Sequence, residues 1–350
     1  MVRSKIRILY LTRPYQHYSS ASYQSEFIKY LKKCFDVNIF EVNTDYLRVG
    51  DPIALESKKF ELKNICHDYD ILMFGHHWLG DHPSENIKPL DMDFLSELNL
   101  TKIAVLNKEY ARLNDKVEYF EKIECSYLIS HHSNLKELFA KKSISTNMEI
   151  FQCVFALDED AWNDDFILPD KKRKFDLSFS GVLANPTWEC EYQSLRSDIE
   201  SILFIKFGSV RIISKHKRIY WNSFTGNKYI DGLNRYKRLK HNDYKSCLYN
   251  SKTVLSTLSM GIITPRLFES MVCGAVPLIN NSKHFKIIDN IENHTVSFNS
   301  SLINFLDDMR KAVDLGSDPI VNKNNRDFVM DCHTWSNRFS DLQHKFNSIK

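Results

Sequence analysis

In the first half of the chain, short runs of apolar residues alternate with longer stretches of helical spacing. The run Ile6–Leu11 is typical of a strand that is buried on both faces. After it, Tyr23, Phe27 and Leu31 fall on one face of a helix. The same unit then recurs, and further strands are predicted at residues 37–42, 70–74, 102–106, 127–130 and 149–154.

The second half repeats this alternation. Strands are predicted at residues 175–180, 210–214, 253–258 and 275–279, with a helix around 236–249. A charged stretch, Asp158–Lys174, lies between the halves and is typical of a linker. Because strands joined through helices pair in parallel with right-handed crossovers, we predict an α/β chain of two doubly wound, Rossmann-like parallel-sheet domains facing across a cleft.

The predicted domain boundaries follow from these patterns. Residues 1–165 form the first Rossmann-like domain and residues 166–330 the second, since 350 residues exceed what one hydrophobic core usually holds. Trp335, Phe339 and Phe346 recur at helical spacing. Residues 331–350 are therefore predicted to form a closing helix.

Composition narrows the class of protein. Apolar residues make up 43% of the chain and charged residues 26%, which indicates a globular protein. The net charge is only +3, yet Arg211–Lys245 carries ten basic residues against two acidic ones. Asp51–Glu97 has the opposite bias, with ten acidic residues against four lysines. An anionic ligand is therefore expected in the second half.

Targeting signals and cysteine pairs are not found in the sequence. The apolar run near the N-terminus is too short for a signal peptide or a membrane span. The eight cysteines form no CxxC pair, which favours a reducing compartment. We expect a cytoplasmic protein, with peripheral contact at the inner face of the plasma membrane left open.

The segment Thr264–Leu278 carries the most specific local signals. Thr264 suits the N-cap of a helix, Pro265 its first position and Gly274 its C-terminal stop. Arg266 lies in the first turn, where the helix dipole disfavours a cation unless an anion also binds there. Glu269 can accept hydrogen bonds from vicinal hydroxyls, although a surface pair between Arg266 and Glu269 explains the same residues.

The run from Tyr244 to Ile279, YKSCLYNSKTVLSTLSMGIITPRLFESMVCGAVPLI, resembles the donor-site signature of GT-B glycosyltransferases. The resemblance is to the group-1 and spore-maturation-type (CgeB-like) enzymes, and it implies the GT-B fold and a nucleoside-diphosphate sugar, UDP- or GDP-linked, as donor. It further implies that Glu269 binds the ribose and Arg266 the diphosphate. The remaining donor-side residues that it implies are Ser259, Gly261 and Thr264, with Gly181 after the first strand of the second domain.

Gly261 also marks a departure from the family pattern. Many retaining members have an acidic residue at this position, so the resemblance leaves retention or inversion of the anomeric centre open. Basic residues of the second half are further candidates for phosphate contacts, with solvated surface residues as the alternative. They are Lys215, Arg218, Lys240 and Lys252.

A base for the acceptor hydroxyl is expected after the strands of the first domain, where ligands of doubly wound sheets bind. The preferred group is His76 and His77, because Trp78 beside them can stack on a sugar. The other candidates are His17, Glu109, His131 and His132. The spacing of Asp91 and Asp93 suits a metal pair, but their polar surroundings favour a structural role, and we expect neither a metal nor another cofactor.

The resemblance, together with the absence of an export signal, implies a bacterial, metal-independent hexosyltransferase acting on a glycan or lipid-linked acceptor in surface polysaccharide (O-antigen or capsule) biosynthesis. A non-hydrolysing sugar-nucleotide epimerase of the same fold is one alternative. A nucleic-acid-binding protein is another, because aromatic residues alternate with the basic residues of 211–245. The acidic first half disfavours nucleic acid as a partner.

Overall fold

The computed structural model of the protein describes residues 5–13, 22–42, 52–80, 90, 92–109, 111–162, 173–183, 194–207, 218–224, 239, 241–258, 261–281 and 283–349. The chain divides into two compact units. Unit 1 combines Met1–Phe155 with Trp335–Lys350, and unit 2 comprises Ala156–Thr334. This division falls ten residues before the predicted boundary at residue 165.

Unit 1 is built on a sheet of six parallel strands. The strands are β1 (Arg7–Thr12), β2 (Asp36–Glu41), β3 (Ile71–Phe74), β4 (Thr101–Val105), β5 (Tyr127–Ser130) and β6 (Glu149–Gln152). Their order is β2-β1-β3-β4-β5-β6, so the order reverses between β1 and β3. Ile8 pairs with Val37 on one side and with Ile71 on the other. The central strand β1 is buried on both faces, as its continuous apolar run predicts.

In the described part of Met1–Phe155, five helices connect these strands. They are α1 (Ser22–Cys34), α2 (Pro52–Ile65), α3 (Met92–Ser96), α4 (Leu113–Lys122) and α5 (Leu135–Lys141), with a 3-10 turn at Cys66–Asp68. The buried side chains of α4 and α5 join those of the strands in one apolar core that contains Leu9, Leu72 and Phe120. This core fixes the sheet whose carboxyl edge carries the histidines.

Unit 2 holds a second parallel sheet, of five strands. They are β7 (Phe175–Val182), β8 (Ile219–Phe224), β9 (Ser251–Leu255), β10 (Val276–Asn280) and β11 (Val296–Phe298), in the order β11-β10-β9-β7-β8. The helices are α6 (Glu159–Trp162), α7 (Leu195–Phe207), α8 (His241–Tyr249), α9 (Arg266–Val272), α10 (Phe305–Leu315) and α11 (Pro319–Cys332), with 3-10 turns at Lys283–Ile287 and Ile291–Asn293. Here the order reverses between β7 and β9. Both sheets therefore show the doubly wound, Rossmann-like arrangement predicted from the sequence.

The predicted closing helix at residues 331–350 is observed as a helix at Trp335–Ile349. A break at His333 and Thr334 separates α11 from α12 (Trp335–Ile349). Asp318 caps α11 by accepting a hydrogen bond from the Ile320 amide at 2.8 Å. Helix α12 then packs on α1 in unit 1, where the Phe339 ring lies 5.0 Å from that of Phe27. Trp335, Phe339 and Phe346, whose helical spacing predicted the closing helix, all lie on α12.

Other expectations also need correction. Strands β8 and β11 were not predicted, because β8 (IYWNSF) mixes polar with aromatic residues and β11 has only three residues. The predicted strand 210–214 lies outside the described residues. Part of the predicted linker is the short helix α6, whose Trp162 is buried in the core of unit 2.

Among the described residues, no helix combines the length and the apolar composition needed to cross a bilayer. All seven cysteines that the structure describes are free thiols. Cys153 and Cys273 are buried, as their apolar surroundings predict.

Candidate functional site

The carboxyl ends of β7 and β9 bring Gly181 and Arg266 together. A Cβ atom built on Gly181 would lie 2.8 Å from Nη2 of Arg266 and 3.3 Å from Nη1, so the guanidinium rests against the bare glycine backbone. The same guanidinium lies 5.3 Å from the centroid of the buried Phe179 ring. Its Nε is buried without a hydrogen-bond partner among the described residues. This is the switch point of the unit 2 sheet, where doubly wound domains bind ligands.

Helix α9 presents Arg266 from its first position. The N-cap is Pro265, which already has helical dihedral angles and no side-chain group that could cap, so the predicted capping by Thr264 is wrong. Thr264 is exposed, and its backbone carbonyl accepts a hydrogen bond from the Leu267 amide at 3.1 Å. Gly274, at φ 71°, ends the helix as predicted. A helix of seven residues has a small dipole, so side chains must supply most of the attraction for an anion.

Glu269 lies one turn further along α9 and is held by a tyrosine. The Tyr244 hydroxyl, on α8, donates to Oε2 of Glu269 at 2.8 Å. Burial raises the pKa of Glu269, and the hydrogen bond from Tyr244 and the charge of Arg266 oppose this shift. Burial, and then the negative charge of Glu269, raise the pKa of Tyr244 well above its ordinary value. Among the described residues no ion pair joins Arg266 to Glu269, so the simple surface-pair interpretation does not describe these side chains.

A second arginine, Arg196, forms hydrogen bonds with residues at the carboxyl ends of β7 and β9. Arg196, at the start of α7, donates from Nε to Oγ1 of Thr257 at 2.7 Å and from Nη1 to the Val182 carbonyl at 2.7 Å. Its guanidinium lies 5.7 Å from the Phe179 centroid, so Arg196 and Arg266 share one aromatic ring. Two guanidinium groups, one from α7 and one from α9, therefore bring positive charge to this edge of the sheet.

Other predicted phosphate contacts lie elsewhere or outside the described residues. Arg218 and Lys252 both pair with Asp176, with Nζ of Lys252 at 2.9 Å from Oδ1. Asp176 and Lys252 are at the amino ends of β7 and β9, the edge opposite Gly181 and Arg266. These two cations therefore neutralise a carboxylate away from the switch point. Lys215, Lys240 and Ser259 lie outside the described residues, and Gly261 adopts a left-handed φ of 69°.

In unit 1, a chain of buried hydrogen bonds contains His76 and His131. Nδ1 of His131 lies 2.5 Å from the Cys153 carbonyl, which can only accept, so His131 carries its proton on Nδ1. Neutral His131 then accepts at Nε2 from Nε2 of His76, 2.7 Å away, and Nδ1 of His76 accepts from the Tyr10 hydroxyl at 3.3 Å. Burial lowers the pKa of both histidines, that of His76 well below its ordinary value. Both are therefore neutral near pH 7.

Glu109 extends the same cluster along the ends of β4 and β5. Its Oε1 accepts from Ser130 Oγ at 3.0 Å and from the His131 amide at 2.9 Å. Its Oε2 is buried and has no hydrogen-bond partner in the part of the chain that the structure describes. A buried carboxylate oxygen without a partner is costly and is a frequent feature of functional sites.

Two other unit 1 candidates are also buried. His77 is 6% exposed, and Trp78 is fully buried, with Nε1 donating to the Tyr119 hydroxyl at 3.0 Å. Trp78 therefore does not present a face for sugar stacking, contrary to the sequence interpretation, because its ring packs into the core against Phe74. His17 lies outside the described residues. The described residues contain no group of three or more His, Cys, Asp or Glu arranged to hold a metal.

Comparison with known proteins gives a fold but no family. No protein-family model and no curated protein matches the sequence. A glycosyltransferase structure from Rickettsia africae ESF-5 aligns over 99% of this chain and 98% of its own, with a TM-score of 0.60 and 12% identity. Anabaena HepE in complex with UDP aligns over 98% and 100%, with a TM-score of 0.55 and 10% identity. The chain has the GT-B fold.

A third GT-B structure supports the same assignment. Sucrose-phosphate synthase from Thermosynechococcus elongatus aligns over 99% of both chains, with a TM-score of 0.53 and 10% identity. HepE was also solved with UDP-glucose. At such low identity the likeness establishes the GT-B architecture of two Rossmann-like domains, while the chemistry has to be argued from the residues.

Sequence reasoning missed two residues of the unit 2 edge. Arg196 follows a stretch without a recognised motif, and its partners Thr257 and Val182 are remote in sequence. Tyr244 begins the run that resembles the donor-site signature, yet nothing in its spacing indicates that it contacts Glu269. A tyrosine at a helical position is ordinarily read as a core residue.

Proposed function

We propose that this protein is a glycosyltransferase that moves a hexosyl group from a nucleoside-diphosphate sugar, UDP- or GDP-linked, to a hydroxyl of a glycan or lipid-linked acceptor. The observation that carries the proposal is the meeting of Arg266, Gly181 and the Tyr244–Glu269 pair at the switch point of the unit 2 sheet. The Arg266 guanidinium beside Gly181 can form charge-assisted hydrogen bonds with a diphosphate, and the Glu269 carboxylate one turn away can accept hydrogen bonds from ribose hydroxyls. The GT-B fold, shared with UDP-bound HepE, supports this reading.

Donor binding is assigned to the second predicted domain, residues 166–330. Arg266 binds the diphosphate, and Glu269 accepts hydrogen bonds from ribose hydroxyls. Gly181 allows the close approach of phosphate and guanidinium. The residues proposed to line the sugar or the phosphates are Ser259, Gly261, Thr264, Lys215 and Lys240.

The transfer breaks the bond between the sugar C1 and the phosphate oxygen and forms a bond from C1 to the acceptor oxygen. The electron pair of the broken bond leaves with the nucleoside diphosphate, whose growing negative charge Arg266 stabilises. The acceptor proton passes to a base if the anomeric centre is inverted. We propose that this stabilisation works without a metal ion.

Acceptor activation is assigned to the first predicted domain, residues 1–165. Of the candidates His17, His76, His77 and Glu109, we favour Glu109, because Oε2 is the atom left without a partner in the described part of the cluster. The nitrogens of His76 are engaged by Tyr10 and His131, and its lowered pKa weakens it as a base. We place the reaction in bacterial surface polysaccharide synthesis at the cytoplasmic side of the membrane, with peripheral membrane contact.

A ligand screen tests the donor site. At a concentration of 100 Kd, a bound nucleotide stabilises the folded state by about 2.7 kcal/mol, so UDP or GDP should raise the melting temperature of the wild type. Arg266→Ala should abolish this rise. Arg310→Ala is the matched control, since Arg310 is an exposed arginine paired only locally with Asp307, and it should keep the rise.

Two results would reject the proposal. One is a wild type that gains no stability from either nucleotide, and the other is an Arg266→Ala variant that gains as much as the wild type. A turnover assay with and without acceptor separates transfer from epimerisation, because an epimerase of the same fold consumes sugar nucleotide with no acceptor present.

A further inference from the structure

The hydroxyl of Tyr244 holds the carboxylate of Glu269. The 2.8 Å hydrogen bond from Tyr244 occupies Oε2, whereas Oε1 takes no hydrogen bond from the described residues. Tyr244 itself is fixed because its ring packs against the core of unit 2, which includes Leu267 and Met271 of α9. The two oxygens of Glu269 are thus in different environments.

The hydrogen bond from the fixed Tyr244 hydroxyl matters because a glutamate side chain is flexible. Ordering a free glutamate costs up to about 2 kcal/mol of rotamer entropy. If the side chain is ordered only when a ligand binds, this cost lowers the affinity for the ligand. The bond to Tyr244 orders the group before a ligand arrives. Glu269 is partly exposed as a residue.

The charge state of Glu269 depends on the same contact. Burial raises its pKa, and the Tyr244 hydrogen bond acts in the opposite direction, together with Arg266. An ionised carboxylate forms charge-assisted hydrogen bonds with hydroxyls, which are about twice as strong as neutral ones. Removal of the tyrosine hydroxyl would therefore weaken Glu269 as an acceptor in two ways, through its orientation and through its charge.

We infer that Tyr244 is a positioning residue that makes the donor site selective for ribonucleotides, because it orients Glu269 so that Oε1 accepts a ribose hydroxyl. This inference rests on the proposed function. It adds a determinant of sugar selectivity that does not itself touch the ribose. The consequence is that the affinity for a ribonucleotide and for its deoxy analogue should respond differently to the loss of one phenolic oxygen.

The test compares the dissociation constants of UDP and GDP with those of their 2′-deoxy and 3′-deoxy analogues by calorimetry. The wild type should bind the better ribonucleotide at least about 10-fold more tightly than one of its deoxy analogues, the size expected for a hydrogen bond to a charged group. Tyr244→Phe should lower ribonucleotide affinity by about 10-fold and deoxy affinity by less than about 2-fold. The selectivity then falls to nearly 1.

Tyr249→Phe is the matched control, since Tyr249 is a buried tyrosine on the same helix and lies outside the Glu269 contact. It should keep the wild-type selectivity. If Tyr244→Phe does not fold, Tyr244→Met carries the same expectation. In a Glu269→Ala background, adding Tyr244→Phe should cause no further loss of ribose selectivity, because the group that Tyr244 orients is absent.

The outcomes separate the two proposals. Binding of UDP or GDP by the wild type, with unchanged ribose selectivity in Tyr244→Phe and Tyr244→Met, overturns the role of Tyr244 and leaves the donor site intact. Equal affinity of the wild type for ribonucleotides and both deoxy analogues also overturns it. A wild type that binds no nucleotide rejects the proposed function and, with it, this inference.

Discussion

Replacing Gly181 with alanine should weaken nucleotide binding while the fold stays stable. The new Cβ would lie 2.8 Å from Nη2 of Arg266, where ordinary contact begins near 3.4 Å, so the guanidinium must withdraw by about 0.6 Å. The far end of an arginine can move at little cost to stability. The same movement should weaken the proposed contacts between this guanidinium and the phosphates. Each such hydrogen bond to a charged group contributes about 1.5–3 kcal/mol to binding.

That range corresponds to a loss of about 10- to 100-fold in affinity for the nucleotide that the wild type binds. Calorimetry measures the affinity, and thermal unfolding in the absence of ligand measures the stability. Gly316→Ala is the contrasting variant, because its Cβ would overlap the Lys252 carbonyl in the backbone, far from Arg266 in the sheet. It should cost about 1–3 kcal/mol of stability and leave the affinity of the folded protein unchanged.

The reasoning fails if Gly181→Ala binds nucleotide as tightly as the wild type. It also fails if Gly181→Ala loses as much stability as Gly316→Ala, since the substitution would then disturb the backbone and not only the guanidinium. The opposite responses of the two glycines therefore distinguish a ligand-binding role from a packing role.

Two further predictions concern unit 1. Glu109→Gln should lower kcat by about 100-fold or more while the Kd of UDP or GDP changes less than about 2-fold, and an unaltered kcat would remove Glu109 as the base. Burial lowers the pKa of His76 and His131, so below about pH 6.5 the unfolded chain binds protons that the folded chain does not. The free energy of unfolding should therefore fall as the pH drops below 6.5, by up to about 1.4 kcal/mol per pH unit for each histidine. Urea unfolding at pH 7.5 and 5.5 measures this, with a smaller slope expected in His76→Asn; equal slopes would contradict it.

The sequence by itself determined the elements whose signals are local. The apolar run Ile6–Leu11 predicted a strand buried on both faces, because a continuous apolar stretch leaves no solvent-facing side. Gly274 predicted the end of α9, because a left-handed residue stops a helix. The sequence did not predict the short strand β11 or the mixed strand β8, because neither is long or regular enough to show the apolar–polar alternation of a strand.

Only the tertiary structure decided which of these residues meet. Gly181 and Arg266 come together because β7 and β9 are neighbours in the sheet, and the contact of Tyr244 with Glu269 depends on how α8 and α9 pack. The same strand order places Lys252 at the opposite edge, although its charge alone made it an equal candidate for phosphate. Periodicity reports which face of an element is buried, but the neighbour across that face is set by packing between segments remote in sequence, and the chemistry of the site arises there.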